Sequence, residues 1–232
     1  RADRHRGAVE QLLADGQAYL DDGAVRFRVP DEGITGWDDV VKGRVEFEHA
    51  HVEDFVIRRS DGSALFLLAN VVDDLDMGIT HVIRGEDMVN NMPKQLLLMR
   101  ALGAPDELVY AHLPLLVDEG RRKLSKRFGD VAIERYRERG YLAPALVNYL
   151  ALLGWGPPDE VEVRPIDEIV SLFRLEDVNR SSAFFDLKKL THINAQYVRD
   201  LDRDTFLATV RNHYLGSLDD AYVRLVQERA HT

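Results

Sequence analysis

Hydrophobic and polar residues follow one helical pattern at the start of the chain. Val9 and Leu12 fall at helical spacing between polar residues, which predicts an amphipathic helix over 4–20. We expect this helix to end near Gly16 or Asp21.

The pattern then changes to the alternation that is typical of half-buried strands. Alternating apolar residues predict strands over 25–29 and 45–48, with a glycine-containing loop (Gly33, Gly36, Gly43) between them. Two further apolar runs, 55–59 and 64–68, flank Asp61-Gly62, a dipeptide that favours a hairpin turn. The first 70 positions therefore predict one helix followed mainly by strands.

Positions 79–84 predict a short buried strand, and polar residues follow it directly. This strand would deliver Arg84, Glu86 and Asp87 at its carboxyl end, the edge at which open α/β sheets bind their ligands. A helix over 91–102 comes next, with Asn as a plausible cap and Pro in its first turn.

An apolar run over 110–117 predicts the next strand, and it leads into a basic loop between Gly120 and Gly129. Arg122, Lys123, Lys126 and Arg127 lie within six residues, in a chain of net charge −10. A charge run of this kind is usually a solvated surface, but a basic loop that directly follows a strand is well placed to bind an anion. Strand, helix, strand and a loop that could bind phosphate predict half of a nucleotide-binding α/β sheet.

Helices are predicted after the loop, over 132–139, 144–153 and 165–173, before an apolar, partly basic segment at 184–190.

Composition limits the number of domains and the kinds of site and partner that this chain can have. A chain of 232 residues with 45% hydrophobic content can form one or two domains. The chain has no cysteine, which excludes disulfides and thiolate zinc sites and favours the cytoplasm. Its apolar runs are too short to cross a bilayer, so no membrane partner is expected. The acidic balance argues against a general nucleic-acid coat but allows a local site.

Several segments together resemble one family. Lys-Leu-Ser-Lys-Arg at 123–127 resembles the second signature motif of class I aminoacyl-tRNA synthetases, in a form similar to that of glutamyl-tRNA synthetases. Four other segments resemble the glutamyl enzymes in the same order along the chain: 54–62, 70–74, 77–87 and 141–155.

This resemblance implies a fold and a domain order. The fold would be α/β, the second half of a Rossmann-like parallel sheet with a β-rich insertion before it and a helical region after it. The implied division is a remnant of the acceptor-end-binding insertion (1–54), the second half of the catalytic domain (55–118), the lysine loop with a tRNA-stem-contacting helical region (119–190), and the start of the anticodon-binding region (191–232).

The resemblance also implies a reaction. Glutamate would attack the α-phosphorus of ATP, and the resulting glutamyl-adenylate would acylate tRNA. ATP with Mg²⁺ would enter as a substrate, no zinc is expected, and the enzyme would be a cytoplasmic monomer.

Site residues follow by matching positions. Lys126 and Lys123 would be catalytic, by stabilising pyrophosphate charge. The ATP-binding set would be Lys123, Leu124, Ser125, Lys126, Arg127, Leu116 and Asp87. Asn70, Arg84 and Phe66 would bind glutamate, with Arg84 holding a carboxylate. Without the resemblance, Arg84 would be interpreted as part of a strand-end ion pair and Asn70 as a buried hydrogen-bonded amide. His81 and His112 are expected to be structural.

The sequence departs from the family pattern at several points. The His-Ile-Gly-His type motif that binds ATP is absent, as are the early Arg and Glu that help to bind the amino acid, so we expect the chain to start downstream of them and not to catalyse the reaction alone. A variable part of the insertion is expected to be missing between Tyr19 and Gly23, and only the first anticodon-region helices are expected. Phe66 stands where many members have a glutamate-contacting tyrosine.

Besides specificity for glutamine in place of glutamate, two alternative functions of the chain stay open. One is a catalytically dead, synthetase-like RNA-binding module. The other is a tRNA-modifying glutamyl-transferring paralogue, against which the helical region over 141–192 argues.

Overall fold

The computed structural model describes residues 1–104, 108–124 and 132–211, with side chains up to residue 209. The chain divides into two compact units, Arg1–Leu113 (unit 1) and Pro114–Thr232 (unit 2). The predicted site residues Ser125, Lys126 and Arg127 lie outside the described residues, and the finer division into four segments remains a prediction.

Unit 1 combines three helices with two sheets. Its elements in chain order are α1 (Ala2–Ala14), β1 (Ala18–Asp21), β2 (Ala24–Phe27), β3 (Ile34–Asp39), β4 (Gly43–Glu48), β5 (Phe55–Arg58), α2 (Phe66–Asp76), β6 (His81–Gly85), α3 (Met92–Ala101) and β7 (Val109–Leu113). A 3₁₀ turn, Glu86–Asn91, links β6 to α3.

The first sheet of unit 1 is antiparallel, with strand order β1-β2-β5. The second has the order β4-β3-β7-β6, in which β6 and β7 are parallel and joined through α3. This confirms the predicted strand–helix–strand unit of a nucleotide-binding α/β fold. Strand β3 joins β7 at one register pair, Asp39 with Tyr110, and β4 returns antiparallel to β3.

One hydrophobic core spans both sheets and the three helices of unit 1. Its fully buried members come from α1, β2, β5, α2 and α3, and they include Leu12, Val25, Ile57, Leu68 and Leu98. Helix α1 stops near Gly16, the earlier of its two predicted ends, because the N–H groups of Gly16 and Gln17 bind the carbonyls of Leu13 and Leu12 in a Schellman arrangement. Gly16 takes the positive φ of 70° that this arrangement needs.

Two sequence predictions for the first 70 positions are wrong. Residues 18–21 form β1 and do not continue the helix. The glycine-containing loop is also not a loop throughout, because β3 occupies 34–39. Gly36 marks close approach of two strands there, since a Cβ at this position would lie 2.8 Å from Glu46 Cγ.

Two further predictions need correction. The strand over 64–68 reduces to one antiparallel bridge between Arg58 and Ala64, after which α2 begins. A short apolar run has no periodicity that separates a buried strand from a buried helix, and this run continues into the core as a helix. The single strand over 110–117 is two strands, because Pro114 interrupts it. Strand β6 is less buried than predicted, since it is an edge of the described sheet and Ile83 is 50% exposed.

Unit 2 is mainly helical, as predicted. Its elements are β8 (Leu116–Val117), α4 (Ile133–Glu138), α5 (Ala143–Leu152), α6 (Ile166–Leu172), β9 (Ala183–Phe184), α7 (Leu187–Asp200) and α8 (Arg203–Arg211). Strands β8 and β9 are parallel. Helices α5 and α7 pack through Ala145, Tyr149, Leu190 and Ile193. Within the described ranges, no helix is both long and apolar enough to cross a membrane.

The core of unit 1 predicts a large effect of truncating Leu12. This side chain is 0% exposed, whereas Leu20 on β1 is 65% exposed. We expect Leu12→Ala to lower the free energy of unfolding by about 2–5 kcal/mol. The matched change Leu20→Ala should stay within about 0.5 kcal/mol. Urea unfolding followed by Trp37 fluorescence, in a Trp155→Phe background, measures unit 1 alone; equal losses in the two variants would contradict this packing.

Candidate functional site

The predicted amino-acid-binding residues lie in unit 1, on a helix and a strand. Phe66 and Asn70 belong to α2, and Arg84 lies near the carboxyl end of β6. Asp87, a predicted ATP contact, follows Arg84 in the 3₁₀ turn. The other described ATP candidates, Leu116, Lys123 and Leu124, lie in unit 2.

One face of α2 carries the polar groups of this site. Phe66, Asn70 and Asp74 are spaced four residues apart, so their side chains share a face of the helix. Phe66 is 61% exposed in the first turn of α2. Asn70 Oδ1 accepts a hydrogen bond of 3.2 Å from Nε2 of Gln95 on α3. Gln95 thereby fixes the orientation of the Asn70 amide, whose nitrogen can donate to a ligand.

Gln95 supports Asn70 at an energetic cost. Its side chain is fully buried, and no donor in the described part of the chain reaches its Oε1. A buried acceptor without a partner costs about 1–3 kcal/mol. Gln95 is therefore poorly explained as a residue that serves packing alone.

Arg84 is half-buried and held on two sides. Its Nε donates a hydrogen bond of 3.2 Å to His112 Nε2, and its Nη2 contacts Met92 Sδ at 2.7 Å. Burial lowers the pKa of Arg84, and the nearby Asp74 carboxylate opposes this shift. An arginine stays protonated at neutral pH in spite of such a shift. The guanidinium is thus a fixed positive charge at the carboxyl end of a parallel strand, a place that suits an anionic ligand.

His112 is completely buried and lies between Arg84 and Asp39. Its ring Nδ1 is 2.5 Å from Asp39 Oδ2, and Asp39 Oδ1 accepts the backbone N–H of His112 at 3.1 Å. As expected, His112 is a buried histidine with hydrogen-bond partners. Its contact with Arg84 was not foreseen.

Carboxylates also occupy the turn after β6. Glu86 forms an ion pair with Lys42, which follows β3. Asp87 is exposed and bends back toward Gly85, where an added Cβ would lie 2.7 Å from Asp87 Oδ1. Glycine at position 85 therefore permits this conformation of Asp87.

In unit 2, residues 116–124, which include the start of the basic loop, form a short hairpin. Leu124 N–H donates to the Leu116 carbonyl at 2.9 Å, and Val117 forms an antiparallel bridge with Lys123. Asp118 accepts from both the backbone and the side chain of Arg122, which lowers the pKa of Asp118. Leu116, Lys123 and Leu124 thus lie next to each other across the hairpin, as one site would require.

Leu116 and Leu124 also line a mainly apolar cavity of about 350 Å³ in unit 2, together with Ile133 of α4 and Leu150 of α5. The apolar role predicted for Leu116 is compatible with this position. Over residues 1–104, 108–124 and 132–211, no group of three or more His, Cys, Asp or Glu side chains could hold a metal ion.

Three residues of this site were not singled out from the sequence: Asp39, Asp74 and Gln95. Asp74 could have been found, because it lies one helical turn beyond Asn70. Gln95 also carries a signal, as a polar residue within the apolar face of a predicted helix. Asp39 gives no local signal, since its partner His112 is 73 positions away.

Comparisons with known proteins agree on one family. The family described as tRNA synthetases class I (E and Q), catalytic domain, matches residues 2–192. A glutamate–tRNA ligase of Thermobifida fusca (strain YX) is 52% identical over 237 residues, covering 89% of this chain and 50% of the relative. The glutamate–tRNA ligase of Frankia casuarinae is 49% identical, covering 91% of this chain and 52% of the relative.

Solved structures give the same picture. The crystal structure of glutamate-tRNA synthetase from Elizabethkingia anophelis matches with a TM-score of 0.80 at 31% identity, covering 97% of this chain and 50% of that one. A glutamate tRNA ligase from Elizabethkingia meningosepticum in complex with its amino acid matches with a TM-score of 0.79 at 31% identity, covering 97% and 49%. The chain thus spans about half the length of these relatives.

Two adjacent carboxylates on α2 are expected to respond to pH with opposite signs. Burial raises the pKa of Asp74, so its ionised form is disfavoured in the folded state and stability falls as pH rises through its titration. Hydrogen bonds from His5 and Arg1 lower the pKa of Asp73, so Asp73 stabilises above its unfolded pKa and this contribution is lost as pH falls.

We therefore expect Asp74→Asn to be more favourable relative to the parent protein at about pH 7 than at about pH 3, and Asp73→Asn to be less favourable. Urea unfolding at the two pH values measures both variants. The same sign of pH dependence in both variants would contradict the burial of Asp74 or the hydrogen bonds that Asp73 accepts from His5 and Arg1.

Proposed function

The chain belongs to the class I tRNA synthetases (E and Q), and on this basis we propose that the protein attaches glutamate to tRNA through a glutamyl-adenylate. The observation that carries the proposal is Arg84, a half-buried guanidinium that His112 and Met92 contact at the carboxyl end of a parallel strand. Such a group binds a carboxylate through parallel N–H bonds. Because the chain spans about half of its relatives, the activity is assigned to the whole gene product.

Asn70 and Phe66 complete the proposed glutamate contacts. Within the described residues Asn70 is fixed by Gln95, which leaves its amide nitrogen to donate to the substrate. Phe66 lies one turn earlier on the same face of α2 and offers an apolar ring, although it lacks the hydroxyl of the usual tyrosine. These contacts would position glutamate so that its α-carboxylate attacks the α-phosphorus of ATP.

ATP with Mg²⁺ is proposed as the second substrate. Asp87 would make a polar contact and Leu116 an apolar contact to the nucleotide. Lys123, Leu124, Ser125, Lys126 and Arg127 would close over the triphosphate, where Lys126 and Lys123 neutralise the negative charge that develops on pyrophosphate. Support comes from the hairpin that places Lys123 and Leu124 beside Leu116.

tRNA is proposed as the third substrate, with the helical unit 2 contacting its stem. This unit contains helices α4–α8 after the basic loop, which supports a ligase over the shorter tRNA-modifying paralogue. The cytoplasm is the proposed location of the reaction.

The decisive experiment is ATP–pyrophosphate exchange by the whole gene product, with glutamate and tRNA present. We expect exchange that depends on glutamate. Lys126→Ala should slow it about 100- to 1,000-fold, because one donor to the developing charge is lost. Arg100→Ala removes a positive charge from an exposed position on α3, outside the proposed substrate contacts, and should leave the rate within about two-fold.

Absence of exchange in the unmutated protein would favour the catalytically dead RNA-binding module. Normal exchange by Lys126→Ala would contradict the catalytic role of Lys126 but would not contradict the proposed ligase activity.

Phe66 gives a gain-of-affinity prediction. We expect Phe66→Tyr to lower the KM for glutamate about 2- to 10-fold, because the new hydroxyl adds one hydrogen bond to the substrate. Phe173→Tyr, a partly exposed phenylalanine of unit 2, is the matched control. An unchanged KM in Phe66→Tyr would take position 66 out of the glutamate contacts.

A further inference from the structure

We propose that Asp39 and His112 are positioning residues that fix the direction of the Arg84 guanidinium toward the amino-acid substrate. This inference rests on the function proposed above, in which Arg84 binds a substrate carboxylate. Asp39 and His112 do not touch the substrate themselves.

The sheet puts His112 and Arg84 side by side. They are direct register partners on the parallel strands β7 and β6, so their side chains leave the same face of the sheet. The resulting hydrogen bond runs from Arg84 Nε to His112 Nε2 over 3.2 Å. Because both backbones belong to one ladder, this contact needs no movement of a loop to form.

Asp39 decides which nitrogen of His112 can accept. Its Oδ1 accepts the backbone N–H groups of Val41, Lys42 and His112, at 2.9–3.1 Å. Its Oδ2 accepts from Trp37 Nε1 at 3.2 Å and lies 2.5 Å from His112 Nδ1. Burial raises the pKa of Asp39, but these hydrogen bonds outweigh burial and lower it overall.

An ionised carboxylate is only an acceptor, so it requires the proton of a neutral His112 on Nδ1. The lone pair of Nε2 is then left for Arg84. The opposite tautomer would direct an N–H group at the N–H of Arg84 and break the contact. Asp39 therefore controls Arg84 through the tautomer of His112.

The arrangement leaves one end of the guanidinium for a ligand. Nε is bound to His112 and one N–H of Nη2 points at Met92 Sδ, whereas Nη1 makes no hydrogen bond to any described residue. Nη1 and the second N–H of Nη2 can therefore bind a carboxylate together. A planar guanidinium held at two of its nitrogens has a fixed orientation. Fixing it before the substrate arrives reduces the entropy lost on binding.

A purely structural role is the competing explanation, because Asp39 also ties β3 to β7. Two variants separate the roles. His112→Asn places an amide where Nδ1 was and keeps a donor for Asp39, but it is too short to accept from Arg84. Asp39→Asn keeps the shape of the side chain and offers its amide to Nδ1, which forces the proton onto Nε2.

The first measurement is the KM for glutamate and for ATP in the exchange assay, with the whole gene product. Loss of the acceptor for a charged donor should raise the glutamate KM roughly 10- to 100-fold in both variants, with the ATP KM within about two-fold. His49→Asn is the matched control: His49 is a buried histidine of the same sheet region, bonded to Thr35 Oγ1 at 2.8 Å and to the Glu32 carbonyl at 3.0 Å. It should leave the glutamate KM unchanged. A glutamate KM within about two-fold of the parent in both site variants would overturn the proposal.

The second measurement does not depend on activity. Long-range ¹H–¹⁵N NMR correlations identify the tautomer of His112, which we expect to be Nδ1–H in the unmutated protein and Nε2–H in Asp39→Asn. A doubly protonated or Nε2–H His112 in the unmutated protein would overturn the inference. Absence of glutamate-dependent exchange together with the expected tautomers would instead refute the function and leave the arrangement of these three residues standing.

Discussion

The buried carboxylate of Asp39 is the interaction on which the second sheet of unit 1 depends. Strand β3 meets β7 at a single register pair, with one further backbone hydrogen bond from Val40 to Tyr110. So short a ladder contributes little by itself. Asp39 accepts hydrogen bonds from Trp37 on β3, from Val41 and Lys42 after it, and from His112 on β7. A buried carboxylate with this many partners is costly to detach. Asp39 therefore ties the β3–β4 hairpin to the sheet, together with the buried Trp37 and the ion pair of Lys42 with Glu86.

The residues of the candidate site in unit 1 lie on helices and strands, which packing against the sheet keeps rigid. Arg84 comes from a strand end, Asn70 from a helix, and His112 from the neighbouring strand. None of these three lies on a loop. Side chains on regular elements keep their geometry better than loop residues, which suits a reaction whose rate depends on alignment. The lysine segment of unit 2 is different, because Lys123 and Leu124 come from a hairpin and its following loop.

The sequence allowed much of this structure to be predicted, and the failures have physical causes. The parallel strands and the helix between them followed from apolar runs bounded by Asn, Pro and Gly. The run at 64–68 was assigned to a strand, since a few apolar residues fit a buried strand and a buried helix equally well. Gly36 was placed in a loop although it permits close strand packing. Motifs in the sequence point to Arg84, Asn70 and Phe66, whereas Asp39 and its partner His112 are 73 positions apart and leave no local pattern. The assignments of Ser125, Lys126 and Arg127 remain predictions.

The Gln95 oxygen, which no donor among the described residues reaches, has a consequence for the evolution and engineering of this protein. Gln95, Asp74 and Arg84 all carry polar or charged groups into surroundings that disfavour them, so the site is locally frustrated. Substitutions that relieve this frustration, such as an apolar side chain at position 95, would be found readily in a screen for thermostability and would loosen Asn70. Selection for stability without an activity assay would therefore tend to replace residues of this site first. Stabilising substitutions are better sought at surface positions outside the site.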